Sequence, residues 1–241
     1  MIKIEDERYV GGTPFATVIE VSGFVGALHG MRNPKNSWRL SDSKVNKGRE
    51  GGIVIGENDM KLAQTLIKAG GEHRKFLRMI HVQVDLNLPR YIWSEFDTYH
   101  YNTKNSTSTM HKLLNQDDEK DWTETFLDEL LHTRGDVQIE NFWVAKEDVD
   151  VVNDCINRLN EIKKEFFATS STKERKHLRR RAKQILSESW LQMRTVDTNY
   201  EELRNIYSQR QYHALDVEWQ LVCKMIEQLP YAEELILHGL K

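Results

Sequence analysis

Hydroxyl and amide side chains are concentrated in one stretch of the chain, residues 94–111. Such side chains favour caps and turns over helix interiors, and they are directional hydrogen-bond donors and acceptors that lose little rotamer entropy when fixed. Two interpretations stay open: a capped polar loop, or a loop that wraps a polar small molecule such as a nucleotide. The side chains concerned are Thr98, Asn102, Thr103, Asn105, Ser106, Thr107, Ser108 and Thr109.

Positive charge is concentrated between Lys173 and Lys183, and Arg210 lies alone in a largely apolar segment. If this segment is a helix, the basic side chains lie on all sides of it except one apolar stripe. A solvent-exposed helix face therefore explains most of these charges, and a nucleic-acid-binding surface is the alternative. Arg179 and Lys183 border the stripe, where a buried cation needs an anion such as phosphate. Arg210 either extends into solvent or meets an acidic partner or a ligand.

The common catalytic and cofactor signatures are missing from the sequence. It has no GxGxxG after a strand, no GxxxxGK[ST], no HExxH and no GxSxG. The nine histidines do not recur at metal-ligand spacing, and Cys155 and Cys223 have no CxxC partners. We therefore expect neither a metal site nor a disulfide scaffold.

Length and composition indicate the class of protein. The chain has 241 residues, a formal net charge of -3 and 39% hydrophobic residues, values typical of an ordered globular protein. The near-zero charge excludes polyanion binding by bulk charge. Residues 1–30 show no export signal, and no eighteen-residue apolar stretch occurs, so we expect a cytoplasmic protein without membrane insertion.

The apolar pattern predicts elements that would position these residues. In the first half we expect strands at Thr17–Val21 and near Ile53, a helix over Asp59–Ala69, an alternating strand through Val84 and a helix over Arg90–Tyr101. Beyond residue 115 the pattern indicates helices almost exclusively. These span Asp121–His132, Lys146–Phe167, Thr172–Ser189, and a last one from Asn199 to Pro230 with a break around residues 211–216. We predict a single α+β domain over residues 1–241, with a small antiparallel sheet, surrounding long helices and a helical insert at about 116–170.

Two spacings resemble those of the flavin-dependent thymidylate synthases, the ThyX family. That family has a basic residue before Ile-Leu, an Asn thirteen residues beyond the Leu and an Arg eleven further on, a pattern met by Lys183, Ile185-Leu186, Asn199 and Arg210. The family also has an Arg-His-Arg triplet that is followed, after seven further residues, by a Ser. At the same spacing this chain has Thr98-Tyr99-His100, seven residues and then Ser108. The resemblance covers about residues 73–230 and implies a ThyX-like fold.

The resemblance also implies an activity and a set of site residues. It implies an FAD-dependent enzyme that methylates dUMP or a related base, with methylenetetrahydrofolate and NADPH as co-substrates. It also implies a homotetramer whose active sites form between subunits. Arg210 would be catalytic, holding the uracil ring and favouring ionisation at N3. The resemblance places Glu95, Ser106, Ser108, Lys183 and Arg210 at the substrate, and His73, Thr98, Tyr99, His100, Asn199, Glu201 and Asn205 at the flavin.

Three hypotheses follow. The first is a flavin-dependent methyltransferase acting on a pyrimidine deoxynucleotide. The second keeps the fold but not the reaction: a nucleotide-binding protein, or an enzyme on another base, motivated by the residues that stand in place of the Arg-His-Arg frame. The third is a non-enzymatic nucleic-acid module built on the basic helix at 173–183.

Overall fold

The computed structural model describes residues 15–45, 52–109, 113–114, 126–127, 136–139 and 142–240. A four-stranded antiparallel sheet organises the fold, with β4 (His81–Pro89) and β9 (Leu191–Asn199) as its inner strands. In spatial order the strands are β1 (Ala16–Ser22), β4 (His81–Pro89), β9 (Leu191–Asn199) and β5 (Thr103–Ser106). The α+β class with a small antiparallel sheet is thus confirmed.

Helices and shorter strands complete the architecture. β2 (Lys44–Val45) and β3 (Ile53–Val54) form an antiparallel two-stranded sheet. A separate three-stranded antiparallel sheet contains, in order, β6 (Phe126–Leu127), β7 (Asp136–Ile139) and β8 (Phe142–Ala145). The helices are α1 (Phe24–Met31), α2 (Glu57–Lys68), α3 (Arg90–Phe96), α4 (Val149–Ala168), α5 (Thr172–Ile185), α6 (Tyr200–Arg210) and α7 (Asp216–Glu227). Helical turns occupy Asn33–Lys35, Trp38–Leu40, Lys75–Met79, Lys146–Asp148 and Ala232–Ile236.

The alternation in β4 follows its sequence. Val82, Val84, Leu86 and Leu88 are at most 1% exposed, whereas the residues between them are exposed or half-buried. One face of the strand therefore meets the core, as period-two patterning predicts. Pro89 is the last residue of this strand and directly precedes α3, a position where its fixed φ is tolerated.

Several predicted helix ends needed correction. The helix expected over Arg90–Tyr101 ends at Phe96, because the chain turns there toward β5. The helix expected to reach Ser189 ends at Ile185. The last predicted helix is two helices, α6 and α7, and the predicted break between them is confirmed. Asn199 caps α6, since its Oδ1 accepts a hydrogen bond from the Glu202 N–H at 3.0 Å.

Two predictions for the region beyond residue 115 were wrong, and helix α1 was not predicted. β9 is an inner strand, although we expected almost no strand beyond residue 115. The predicted helix over Asp121–His132 falls mainly outside the described residues, and Phe126–Leu127 within it is a strand, so the 116–170 insert is not helical throughout. Helix α1 was missed because glycines interrupt its pattern. Gly26 and Gly30 let the Met79 side chain approach, since a Cβ on Gly30 would lie 3.2 Å from Met79 Sδ.

The buried side chains form two clusters. The larger one joins the four-stranded sheet to α1, α2, α3, α6 and α7. The second joins α4 and α5, with Ile156, Leu159 and Phe166 facing Leu178 and Ala182. Within the described ranges, no helix is long and apolar enough to cross a membrane.

Candidate functional site

The C-terminal end of α6 places Arg210 against the end of α3. Arg210 Nη1 donates to Glu95 Oε2 at 2.8 Å, and Arg210 Nε donates to the Tyr99 hydroxyl at 2.8 Å. The arginine side chain is 14% exposed and the glutamate side chain 30%, so the ion pair is partly desolvated. Of the alternatives predicted for Arg210, the structure thus shows an acidic partner, Glu95 of the same chain.

Helix α7 contributes an aromatic wall to this pair. The Trp219 ring centroid lies 4.6 Å from the Arg210 guanidinium carbon, and Trp219 Nε1 donates to Glu95 Oε2 at 3.0 Å. His213 Nε2 lies 3.6 Å from the same oxygen. We call Glu95, Tyr99, Arg210, His213 and Trp219 the Arg210 group. It holds one carboxylate oxygen among several donors and fixes the guanidinium by two hydrogen bonds and a cation–π contact.

Tyr99 is a buried member of the Arg210 group. Its residue is 5% exposed, and burial raises the pKa of its hydroxyl, an effect that Arg210 opposes. The hydroxyl is therefore protonated near neutral pH and donates to Gln209 Oε1 at 3.1 Å while it accepts from Arg210. The middle residue of the Thr98-Tyr99-His100 frame thus packs inward, whereas Thr98 and His100 are exposed.

A second polar group forms where the N-terminus of α6 meets the turn after α3. Asn199 Nδ2 donates to the Tyr101 carbonyl at 3.2 Å, and Glu201 pairs with Arg74 at 3.0 Å. The Arg78 guanidinium carbon lies 5.1 Å from the Tyr101 ring centroid. We call Arg74, Arg78, Tyr101, Asn199 and Glu201 the Tyr101 group. It joins two of the residues predicted for the flavin to two arginines that the sequence reasoning did not select.

The remaining residues predicted for the flavin lie beside this group or near it. His73 is exposed and directly precedes Arg74. Asn205 is exposed on α6, and its Oδ1 accepts a hydrogen bond from Gln209 Nε2 at 2.9 Å. Because Gln209 also binds Tyr99, Asn205 is linked to the Arg210 group.

The predicted substrate residues outside the Arg210 group are more dispersed. Ser106 ends β5 opposite Arg194 of β9, and Ser108 is exposed just beyond it. Arg194 lies 4.3 Å from the Trp93 ring centroid and pairs with Asp97 at 3.0 Å. Lys183 is exposed on α5, whose buried residues belong to the second cluster, whereas the buried residues of α6, the helix of Arg210, belong to the first.

The basic run on α5 is partly engaged by α4. Arg175 and Arg179 lie 5.3 and 4.9 Å from the Phe166 ring centroid, and Arg181 pairs with Glu165 at 2.9 Å. Arg179 therefore covers an aromatic ring at the edge of the apolar stripe rather than reaching inward to an anion. Many of these basic side chains lie on the outer surface of the α4–α5 helix pair, which agrees with a solvent-exposed helix face.

Sequence reasoning missed His213, Trp219, Arg74 and Arg78. No spacing signals Trp219, because it lies on a different helix from Arg210 and 124 positions from Glu95. Arg74 adjoins the selected His73, and this adjacency was the one available signal. In the part of the chain that the structure describes, no three His, Cys, Asp or Glu side chains come together as a metal site.

Two solved structures match the chain over nearly its whole length. Both are the flavin-dependent thymidylate synthase ThyX of Helicobacter pylori with FAD and dUMP, each 17% identical in sequence. One has a TM-score of 0.65 and covers 94% of this chain and 99% of its own; the other has 0.66, 94% and 98%. The chain has the ThyX fold. No family model and no curated protein matches the sequence.

The ThyX fold confirms the resemblance that two spacings predicted. At 17% identity the similarity concerns the path of the chain and not individual side chains. The predicted equivalences of single residues, including the Thr98-Tyr99-His100 frame, stay predictions.

Proposed function

We propose that this protein is a flavin-dependent enzyme that methylates the base of a pyrimidine deoxynucleotide, dUMP or a related one. One observation carries the proposal: Arg210, fixed by Tyr99, Glu95 and Trp219, occupies a ThyX fold whose solved examples hold FAD and dUMP. A preorganised cation lowers the energy of negative charge that develops on a reacting ring. The substrate class and the reaction are inferred from that combination.

The residues of the Tyr101 group fit an anionic cofactor such as FAD. A diphosphate needs cations and hydrogen-bond donors, and this region offers exposed Arg78, half-buried Arg74 and the exposed imidazoles of His73 and His100. We therefore assign the flavin to this group, with Asn199, Glu201, Asn205 and Thr98 around it. When bound, FAD would supply the reducing chemistry, and NADPH and methylenetetrahydrofolate would serve as co-substrates.

The Arg210 group has the properties of a substrate site. In our proposal Arg210 binds the pyrimidine ring and Ser106 and Ser108 contribute hydroxyl groups to the nucleotide. Glu95 neutralises Arg210 in the free protein, so a ligand that binds Arg210 must displace or reorient this carboxylate. Tyr99 keeps the guanidinium oriented through Nε while its Nη1 changes partner.

Lys183 supports an assembly of several copies. It lies on α5, which packs in a different buried cluster from α6, the helix that carries Arg210, yet the resemblance places both residues at one nucleotide. In our proposal, a site that uses both residues takes Lys183 from a second copy of the chain. We therefore propose a homotetramer with sites between subunits.

Spectroscopy and turnover test this function. We expect the purified protein to be yellow or to take up FAD, and to convert dUMP to dTMP with methylenetetrahydrofolate and NADPH. Arg210→Ala should lower kcat/KM by at least ~100-fold with the fold intact, because one charge-stabilising donor is worth about this factor. Arg158→Ala, which removes an exposed arginine paired with Glu161 on α4, is the matched control. A colourless protein that binds neither FAD nor dUMP in calorimetry contradicts the proposal.

A second candidate is a ThyX-fold nucleotide-binding protein that has lost or changed the reaction. The burial of Tyr99 favours it, since the hydroxyl of that side chain already binds Arg210 and Gln209. This candidate predicts binding of a pyrimidine nucleotide by protein that takes up no flavin. Calorimetry with dUMP and dCMP, before and after incubation with FAD, distinguishes the two.

A further inference from the structure

The two charged side chains at the centre of the Arg210 group each keep one polar atom available to a ligand. Arg210 Nη1 and Trp219 Nε1 both donate to Glu95 Oε2, at 2.8 and 3.0 Å. Among the described residues, Glu95 Oε1 and Arg210 Nη2 have no hydrogen-bond partner, and neither atom is buried. The side chains of Glu95 and Arg210 are 30% and 14% exposed. The pair therefore offers a ligand one acceptor and one donor.

His213 helps to fix which carboxylate oxygen a ligand meets. The Leu215 N–H donates to His213 Nδ1 at 3.2 Å, so in the neutral ring the proton lies on Nε2. Nε2 lies 3.6 Å from Glu95 Oε2, the oxygen that already accepts from Arg210 and Trp219. Three N–H groups thus lie around Oε2, and Oε1 is left for the ligand. An ionised carboxylate only accepts hydrogen bonds, so the ligand group at Oε1 must be a donor.

The two natural pyrimidine bases differ in the groups that they present to such a pair. Cytosine carries the N4 amino group, a donor, beside N3, which has a lone pair and accepts. Uracil carries O4, an acceptor, beside N3–H, a donor. A carboxylate that accepts from the amino group is the usual way in which proteins recognise cytosine. The ring position next to N3 therefore decides which base the pair tolerates.

We propose that Glu95 and Arg210 together select cytosine, so that the substrate is dCMP rather than dUMP. The selection rests on the function proposed above, in which Arg210 binds the pyrimidine ring. With the guanidinium at N3, cytosine accepts from Arg210 at N3 and donates from N4 to Glu95 Oε1. The carboxylate then changes orientation but stays in the site.

Uracil in the same position meets two mismatched groups. Its N3–H faces the guanidinium, which only donates, and its O4 faces the carboxylate, which only accepts. Ionisation at N3 removes the first mismatch but places a second negative charge beside Glu95. Uracil fits the pair only when it shifts until N3–H faces Glu95, which moves Arg210 from N3 to a carbonyl oxygen. Cytosine needs neither change.

Calorimetric titration of the full-length protein with dCMP and with dUMP, with FAD present and absent, tests the selection. The two nucleotides share the sugar and the phosphate, so the ratio of their affinities reports the contacts of the base. We expect dCMP to bind at least ~10-fold more tightly than dUMP, because a hydrogen bond to a charged group is worth at least about this factor.

Glu95→Gln should reverse this preference. Arg210 Nη1 and Trp219 Nε1 hold the amide oxygen at the Oε2 position, so the amide NH2 takes the Oε1 position and presents donors. We expect dCMP to bind ~10-fold more weakly than to the unmodified protein, and dUMP ~10-fold more tightly. Glu161→Gln is the matched control, because Glu161 pairs with Arg158 on α4 and its side chain is 60% exposed. It should leave both affinities within twofold.

The outcomes separate the base selection from the proposed function. Binding of dUMP as tight as that of dCMP overturns the selection and leaves the proposed function standing, as does a Glu95→Gln protein that still prefers dCMP. The first of these comparisons uses the unmodified protein and does not depend on how the variant folds. Failure of both nucleotides to bind contradicts the proposed function and the selection together.

Discussion

The ion pair between Glu95 and Arg210 makes a prediction in which stability and affinity change in opposite directions. Glu95→Gln keeps the length of the side chain and an amide oxygen that can accept from Trp219 Nε1 and Arg210 Nη1. It removes the negative charge that Arg210 faces in the free protein. The fold loses an ion pair, while a bound nucleotide gains an arginine without a competing carboxylate.

The exposure of the pair gives the magnitude. Exposed ion pairs contribute about 0–1 kcal/mol and breaking a buried pair costs about 3–5 kcal/mol. With side chains 14% and 30% exposed, we expect a loss between these limits, about 1.5 kcal/mol. For a chain of this length that lowers Tm by roughly 3–6 °C. The same free energy opposes a ligand that must displace Glu95, so its removal should tighten dUMP binding about tenfold.

Thermal unfolding without ligand and calorimetric titration with dUMP measure the two effects. A double-mutant cycle with Arg210→Gln isolates the coupling between the two side chains. Glu188→Gln is the control, since Glu188 pairs with Arg90 at 3.0 Å and is 57% exposed. It should change neither quantity measurably. An unchanged Tm for Glu95→Gln would show that the pair does not stabilise the fold, and a lower Tm with unchanged affinity would show that Arg210 does not bind the nucleotide.

Two further predictions concern buried groups. Asp59→Asn leaves the Arg32 guanidinium without a counter-charge and should lower the free energy of unfolding by ~3–5 kcal/mol in urea titrations. Burial would raise the pKa of Asp59, but hydrogen bonds from two serines and Arg32 outweigh it and hold the pKa below its ordinary 3.8. Its contribution to stability is therefore complete above about pH 4 and lost as the pH falls through the lower folded value, so the variant should show a shallower loss of stability in acid. Burial raises the pKa of the Cys223 thiol to about 12, so iodoacetamide at pH 8 should alkylate half-exposed Cys155 at least ~10-fold faster, as mass spectrometry can follow. Equal rates would contradict the packing around Cys223.

The sequence carried enough information for the elements with regular patterns. The alternation in β4 and the stripes of α4 and α5 are periodic, so their existence and type were predicted. β9 was missed because its buried residues do not alternate regularly: Leu191 and Val196 lie five positions apart, and the four residues between them are half-buried or exposed. As an inner strand it takes its conformation from pairing with both neighbours rather than from its own pattern.

The site was accessible to sequence reasoning only in part. Arg210 was selected because a cation in an apolar segment needs a partner. Its partner Glu95 was also named, but as a substrate residue, and the ion pair between them was not foreseen. A contact across more than a hundred positions depends on the whole tertiary arrangement, which local patterns do not encode. The same reason hid the ion pair between Arg32 and Asp59, which forms only after α1 packs on α2.

The place of β9 in the chain sets an order of assembly during synthesis. Its partner β4 pairs from His81 opposite Asn199 to Pro89 opposite Leu191, so the sheet stays open until residue 199 has left the ribosome. Until then one edge of β4 presents unpaired backbone N–H and C=O groups, the kind of surface that favours association between chains. Helices α4 and α5 are consecutive, and their mutual contacts are local. The helix pair is thus able to form before the sheet is complete, because β9 follows both helices in the chain.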